Sequence, residues 1–197
     1  NASSAGTTPL WVPAGTNYFE EVVVKGLNQW VELSSDTIIP TNMSIVGGAY
    51  LTHPAATTSQ TSKVDLMVSG TLLVDSNSWI YAKGRGYPAG TSYGTNTASG
   101  QRAGGSYGGL GGASGWFVNP VYGDFRNPNE LGSGSGLRYY SGGYYGVSGG
   151  GLVRITAGAL QLDGSITVDG TPASWVWAAV GGGSGGGLCV DVGTLKG

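Results

Sequence analysis

Charge is the scarcest property of this sequence. Charged residues make up 10% of it and the net charge is -2 at pH 7, whereas ordinary soluble domains carry roughly 25% charged residues. Such a balance leaves no electrostatic footprint for nucleic acid or an anionic membrane, and it does little to keep copies of the chain apart. His53 and Cys189 are the single histidine and the single cysteine. A lone cysteine closes no internal disulfide, and the pair supplies no zinc cluster. Cys189 lies in the apolar run Leu188-Cys189-Val190 and reads as a small buried hydrophobe. No apolar run reaches the roughly 18 residues of a membrane span, so no membrane insertion is expected. No long stretch shows a helical apolar period. Asn1–Ser4 is polar and uncharged. With no leader visible, the chain reads as a mature product, an excised fragment or a cytosolic protein.

Glycine is what is present. There are 39 in 197 residues, gathered in tracts at Gly104–Gly112, Gly132–Gly136, Gly149–Gly151 and Gly181–Gly187. With 8 prolines the chain approaches the roughly 25–30% at which disorder becomes a fair prior. Disordered chains are highly charged and poor in aromatics, and this one has 6 Trp, 11 Tyr and 3 Phe. Glycine weakens strand interiors, so the separation of tracts from apolar segments predicts strands joined by glycine-filled turns.

The apolar segments repeat. Val64–Val68 leads through Gly70-Thr71-Leu72 to Asp75, and then to Ser78–Gly84. Gly151–Ala157 leads through Gly158-Ala159-Leu160 to Asp163, and then to Gly164–Gly170. A third copy runs from Gly187 through Gly193-Thr194-Leu195 and breaks off at Gly197. The unit is a strand, a Gly-x-Leu corner, a short strand, an Asp/Gly turn and another short strand. Leu72, Leu160 and Leu195 are expected at equivalent inward positions. Repeats of roughly 20–35 residues predict stacked units that bury a continuous apolar column. The predicted fold is all-β: a right-handed parallel β-helix, or solenoid, with a Gly/Tyr-rich insertion. It forms one domain over 1–197, with N-terminal strands and a loop in 1–63, the first clear repeat in 64–84, the insertion in 85–150 and further repeats in 151–197. The unfinished last repeat predicts an uncapped edge.

At these residues a resemblance enters. Tyr81–Pro88, Gly105–Gly112, Tyr122–Phe125, Asn127-Pro128, Leu131–Gly134, Gly149–Ile155 and Gly181–Gly186 follow one another as in glycine-rich modules of large secreted and cell-surface proteins, chiefly bacterial. The resemblance spans about 64–197. It implies parallel β-helix repeats, an extracellular or cell-surface location and a structural or adhesive role, and it carries over no catalytic residues.

Sequence motifs for chemistry fail on context. Gly181-x-Gly183-x-x-Gly186 matches a dinucleotide fingerprint, but a strand follows where a helix N-terminus is required. Gly-x-Ser-x-Gly occurs around Ser106, Ser148 and Ser184. A nucleophile elbow needs a His base, and His53 sits in a polar loop where a surface place is expected. Asp75, Asp163 and Asp169 follow strand ends and read as turn-formers, with calcium held by stacked turns the alternative; no other cofactor is called for. No enzyme is predicted, and a glycan-cleaving β-helix would need a carboxylate cluster that nothing marks out. The candidate contact residues are aromatic: Trp116, Tyr139, Tyr140, Tyr144, Tyr145, Trp175 and Trp177. They are weighed as cover for the glycine tracts, as contacts to other copies or neighbouring domains, or as platforms for glycans. The predicted function is a structural or adhesive module that assembles end to end into a fibre, with a carbohydrate-binding adhesin the alternative.

Overall fold

A computed structural model of the chain describes residues 7–10, 18–33, 39–94, 99–113, 115–173 and 180–197. Its strands are β1 (Thr7–Leu10), β2 (Tyr18–Lys25), β3 (Trp30–Leu33), β4 (Ile39–Val46), β5 (Tyr50–Thr52), β6 (Val64–Val74), β7 (Trp79–Tyr81), β8 (Arg138–Tyr140), β9 (Gly143–Tyr145), β10 (Leu152–Leu162), β11 (Ser165–Thr167) and β12 (Gly187–Lys196). Helix is absent among the described residues. A sheet of short strands has the order β1-β3-β5-β7-β11, and a sheet of longer strands the order β12-β10-β6-β4-β2. Every pair within these two sheets is parallel, whereas β8 and β9 form a separate antiparallel pair.

The expectation of an all-β, right-handed parallel β-helix is therefore corrected. The strands assemble as two separate parallel sheets and a small antiparallel one, and the chain is not plainly all-β. Much of the stretch between Ala82 and Gly151 lies outside any strand. The physical reason is the glycine. A strand is held in a sheet partly by burying alternate side chains, and the glycine tracts have none to bury.

Where side chains alternate, the two sheets pack face to face. Leu33, Leu51 and Ile80 of the short-strand sheet share one buried cluster with Met43, Leu66, Leu72 and Ile155 of the long-strand sheet. The three repeat copies lie side by side as β6, β10 and β12, with Leu72, Leu160 and Leu195 in register. The expected Gly-x-Leu corner is instead a bulge within one continuous strand. Val68 pairs with Ala157 and Thr71 with Ala159, so Ser69 and Gly70 face Gly158 alone. This missing residue moves the buried side of β10 from odd positions (Val153, Ile155, Ala157) to the even Leu160, which keeps Leu160 beside Leu72. Leu160 is 1% exposed and Leu195, on the last strand, 64%. Leu160→Ala should cost about 3 kcal/mol of stability, whereas Leu195→Ala should change it by less than about 0.5. Urea unfolding followed by tryptophan fluorescence measures both.

The glycine tracts form a second kind of layer, backbone against backbone. Its centre is 131–136, buried throughout. Gly132 N donates to Gly150 O, Gly134 N to Thr91 O, Ser135 N to Val147 O and Gly136 N to Ala103 O, while Ser184 N donates to Ser133 O. A strand in a sheet has two hydrogen-bonded neighbours; this segment exchanges bonds with the segments around 87–91, 103, 147–150 and 184. So many close neighbours leave no room for side chains. A Cβ on Gly132 would collide with the carbonyl of Gly185, and one on Gly149 with the carbonyl of Gly132. Asn119 anchors the layer. Its buried side chain accepts from Ser106 N (2.8 Å) and donates to Ser92 Oγ (3.0 Å) and Ser106 O (3.1 Å).

Candidate recognition surfaces

The glycine layer positions an exposed hairpin. Ser135 and Val147 bond reciprocally, backbone to backbone (2.9 Å) and Val147 N to Ser135 Oγ (2.9 Å), so both arms of 135–147 leave the layer from one anchored point. Ser141 (φ 46°) and Gly142 (φ 86°) form the two-residue turn between β8 and β9, the left-handed conformation that a tight hairpin with twisted strands requires. Tyr139 opposes Tyr144, and Arg138 opposes Tyr145. Four of the sequence-predicted contact residues, Tyr139, Tyr140, Tyr144 and Tyr145, are thereby brought together, all exposed. Tyr139 and Tyr144 meet edge to face with centroids 5.3 Å apart, and the Arg138 guanidinium lies 5.3 Å from the Tyr140 ring centroid.

Trp116 is exposed and lies with Phe117 against Gly100, whose carbonyl abuts Gly136 at the foot of the hairpin. It belongs to the same end of the molecule but outside the hairpin. Trp175 and Trp177 fall outside the described residues.

A second surface is the outer edge of β12, which pairs only with β10 among the described residues. Leu188, Val190 and Leu195 are 39%, 40% and 64% exposed, yet their in-register partners Val153, Ile155 and Leu160 are at most 1% exposed. The row that faces the core in β10 is therefore largely uncovered in β12, where Val192, beside Ala157, still packs against the core. Two clefts border the row. One of about 520 Å³ is lined by Tyr107, Val121, Tyr122, Phe125 and Leu188. The other, of about 400 Å³, is more polar and holds Arg126, Arg154, Thr156, Cys189 and Asp191. Arg154 Nη1 donates to Asn127 Oδ1 (3.0 Å) and Pro128 O (2.7 Å), tying the 121–128 loop to β10. In the first cleft Tyr122 donates to Leu131 O (2.6 Å) and stacks on Tyr93; burial pushes its phenol pKa up. Glu130 nearby also titrates high, through desolvation. Val121 and Phe125 are not among the contact residues expected from the sequence, where Phe125 enters only through the resemblance. Their signal is weak, because an exposed Phe beside Asp124 and Asn127 looks like any polar turn until β12 is seen beneath it.

Other candidates resolve into structural roles. Ser106 is fully buried, which removes it as a nucleophile. His53 is buried rather than on the surface. One ring nitrogen accepts from Leu152 N (3.2 Å) and the other bonds Pro54 O (2.8 Å), so no nitrogen is left for a base. Cys189 is only half-buried, because it lies on the outer face of β12, beside Arg154 and away from the core. Asp75 spends its carboxylate on Gly47 N (2.7 Å) and Asn77 N (3.2 Å). Its pKa is lowered by hydrogen bonds from Ser78 and then Gly47, as befits a turn-former. No group of three His, Cys, Asp or Glu able to hold a metal occurs among the described residues. Trp30, Tyr50 and Trp79 form a ladder across the short-strand sheet, with near-parallel rings at 4.4 and 6.2 Å. Tyr50 thus lies between two tryptophans, with Trp30 stacked closely on one of its faces. No protein-family model, curated protein or solved structure matches this chain.

Proposed function

We propose that this chain is an extracellular structural and adhesive module that adds further copies of itself at the open edge of β12. The observation that carries the reading is the uncovered row Leu188, Val190 and Leu195, set beside buried equivalents one strand inward. An edge of this kind offers both unpaired backbone groups and apolar side chains to an incoming strand. At the opposite edge of the same sheet, β2 pairs only with β4 among the described residues. All pairs being parallel, the two edges have the polarity to continue one ladder from copy to copy. Register supports the same geometry. Val22, Met43, Leu72, Leu160 and Leu195 stand in one row across the five strands, so Val22 of the next copy would follow Leu195. Head-to-tail contacts of this type need not close and lead to filaments. The near-neutral surface opposes association little.

Sedimentation velocity and negative-stain imaging over a range of protein concentrations test the reading. Concentration-dependent growth is the expected result, and Val190→Lys with Leu195→Lys should weaken it at least about tenfold by placing charge on the edge. A wild-type chain that stays monomeric throughout would refute it.

A further inference from the structure

We infer that the β8–β9 hairpin is a carbohydrate-binding tip whose Tyr139/Tyr144 face takes neutral pyranose units. The inference is independent of assembly through β12. Antiparallel pairing puts Tyr139 and Tyr144 on one face of the ribbon, and Arg138, Tyr140 and Tyr145 on the other. Tyr144 is 72% exposed and Tyr139 57%, the reverse of what rings covering a glycine tract would show.

Size selects the ligand class. A fully covered aromatic side chain buries about 150–250 Å², so one face offers two rings, well short of the roughly 800 Å² per partner of a stable protein interface. A sugar ring matches a single tyrosine face. The interplanar angle of 62° makes a corner in which a pyranose stacks on one ring while the other presents its edge and hydroxyl. Charge selects the neutral form. The hairpin holds no carboxylate, and its one cation, Arg138, is engaged over Tyr140 on the far face. Order comes from below: the arms are clamped by the Ser135–Val147 bonds and the turn is fixed by Ser141-Gly142. Tyrosine on such a support gives a large contact at low entropic cost.

The test titrates the full chain with cellohexaose, maltohexaose, chitohexaose and mannohexaose, each followed by NMR. At least one should shift resonances of 138–145 in a saturable way. Tyr144→Ala should weaken that binding about tenfold or more, while Tyr144→Phe, which keeps the stacking face, should hold it within about threefold. Tyr140→Ala, on the opposite face, should leave it unchanged. An unaltered thermal midpoint in each variant separates a lost site from a lost fold. The inference is overturned if none of the four saccharides perturbs the hairpin, or if binding survives Tyr139→Ala combined with Tyr144→Ala.

Discussion

Gly134→Ala should cost at least about 4 kcal/mol or abolish cooperative unfolding, a large share of the roughly 5–15 kcal/mol that holds an ordinary domain together. Gly134 does not use a left-handed backbone, so the demand on it is for room rather than for conformational freedom. A Cβ there would run into the carbonyl of Pro88, with the Ala89 nitrogen at 2.8 Å. Both obstacles are backbone, which cannot swing aside as a side chain can. Making space means moving 88–91 away from 133–136. That movement breaks the bonds from Gly134 N to Thr91 O (3.2 Å) and from Gly90 N to Ser135 O (2.9 Å). Overpacking contributes about 1–3 kcal/mol and each buried group left unpaired about 1–3 more. Gly108→Ala is the control: its Cβ would meet nothing within 4 Å and its φ is not positive, so stability should change by less than about 0.5 kcal/mol. Urea denaturation of the two variants decides the matter. A Gly134→Ala protein within about 1 kcal/mol of wild type would mean that the backbones of 88–91 and 133–136 separate at little cost.

The second large effect is a loss of stability in mild acid, traced to His53. Its ring is fully buried and its pKa is lowered to about 4, chiefly by desolvation, with Arg85 adding charge repulsion against a hydrogen bond to Pro54 that opposes the shift. Geometry points the same way. Leu152 N must donate to Nε2 (3.2 Å), so the proton sits on Nδ1 and bonds Pro54 O (2.8 Å). A second proton would set an N–H against an N–H. The unfolded chain takes up that proton near pH 6.5 and the folded chain only near pH 4. The stabilisation is therefore complete above pH 6.5, falls as pH drops between these values, and is gone below about 4, a total of about 3 kcal/mol. His53→Gln removes the titration. Unfolding free energies of wild type and His53→Gln between pH 7.5 and 4 should converge as pH falls, with carboxylate contributions common to both. Parallel curves would show that His53 does not carry the effect.

How far these features could be read in advance depends on the range of the interactions that make them. The side-by-side placement of β6, β10 and β12 was legible, because the apolar alternation and the Gly-x-Leu spacing of each copy lie within about a dozen residues. The tyrosines at 139, 140, 144 and 145 could be singled out as aromatic, and the Ser141-Gly142 turn that pairs them is equally local. The single β-helix was not the outcome, since a repeat pattern does not say what the glycines between its copies will do. His53 was placed at the surface because its neighbours in sequence are polar. The partner that its buried ring meets is Leu152 N, 99 residues away. Phe125 and Val121 acquire significance only from lying beside β12.

Alternation and spacing determined, by themselves, that the three repeat copies become strands lying in register, since a pleated chain with apolar groups at every second position has one face to bury. The tertiary structure alone decided that the strands divide into two sheets, that glycine backbones from 87 to 185 pack on one another, and that the Tyr hairpin is lifted from that layer. A glycine carries no side chain by which to specify a partner. Which backbone it approaches is settled only when the whole chain closes around it, and the close approach it permits becomes visible only then.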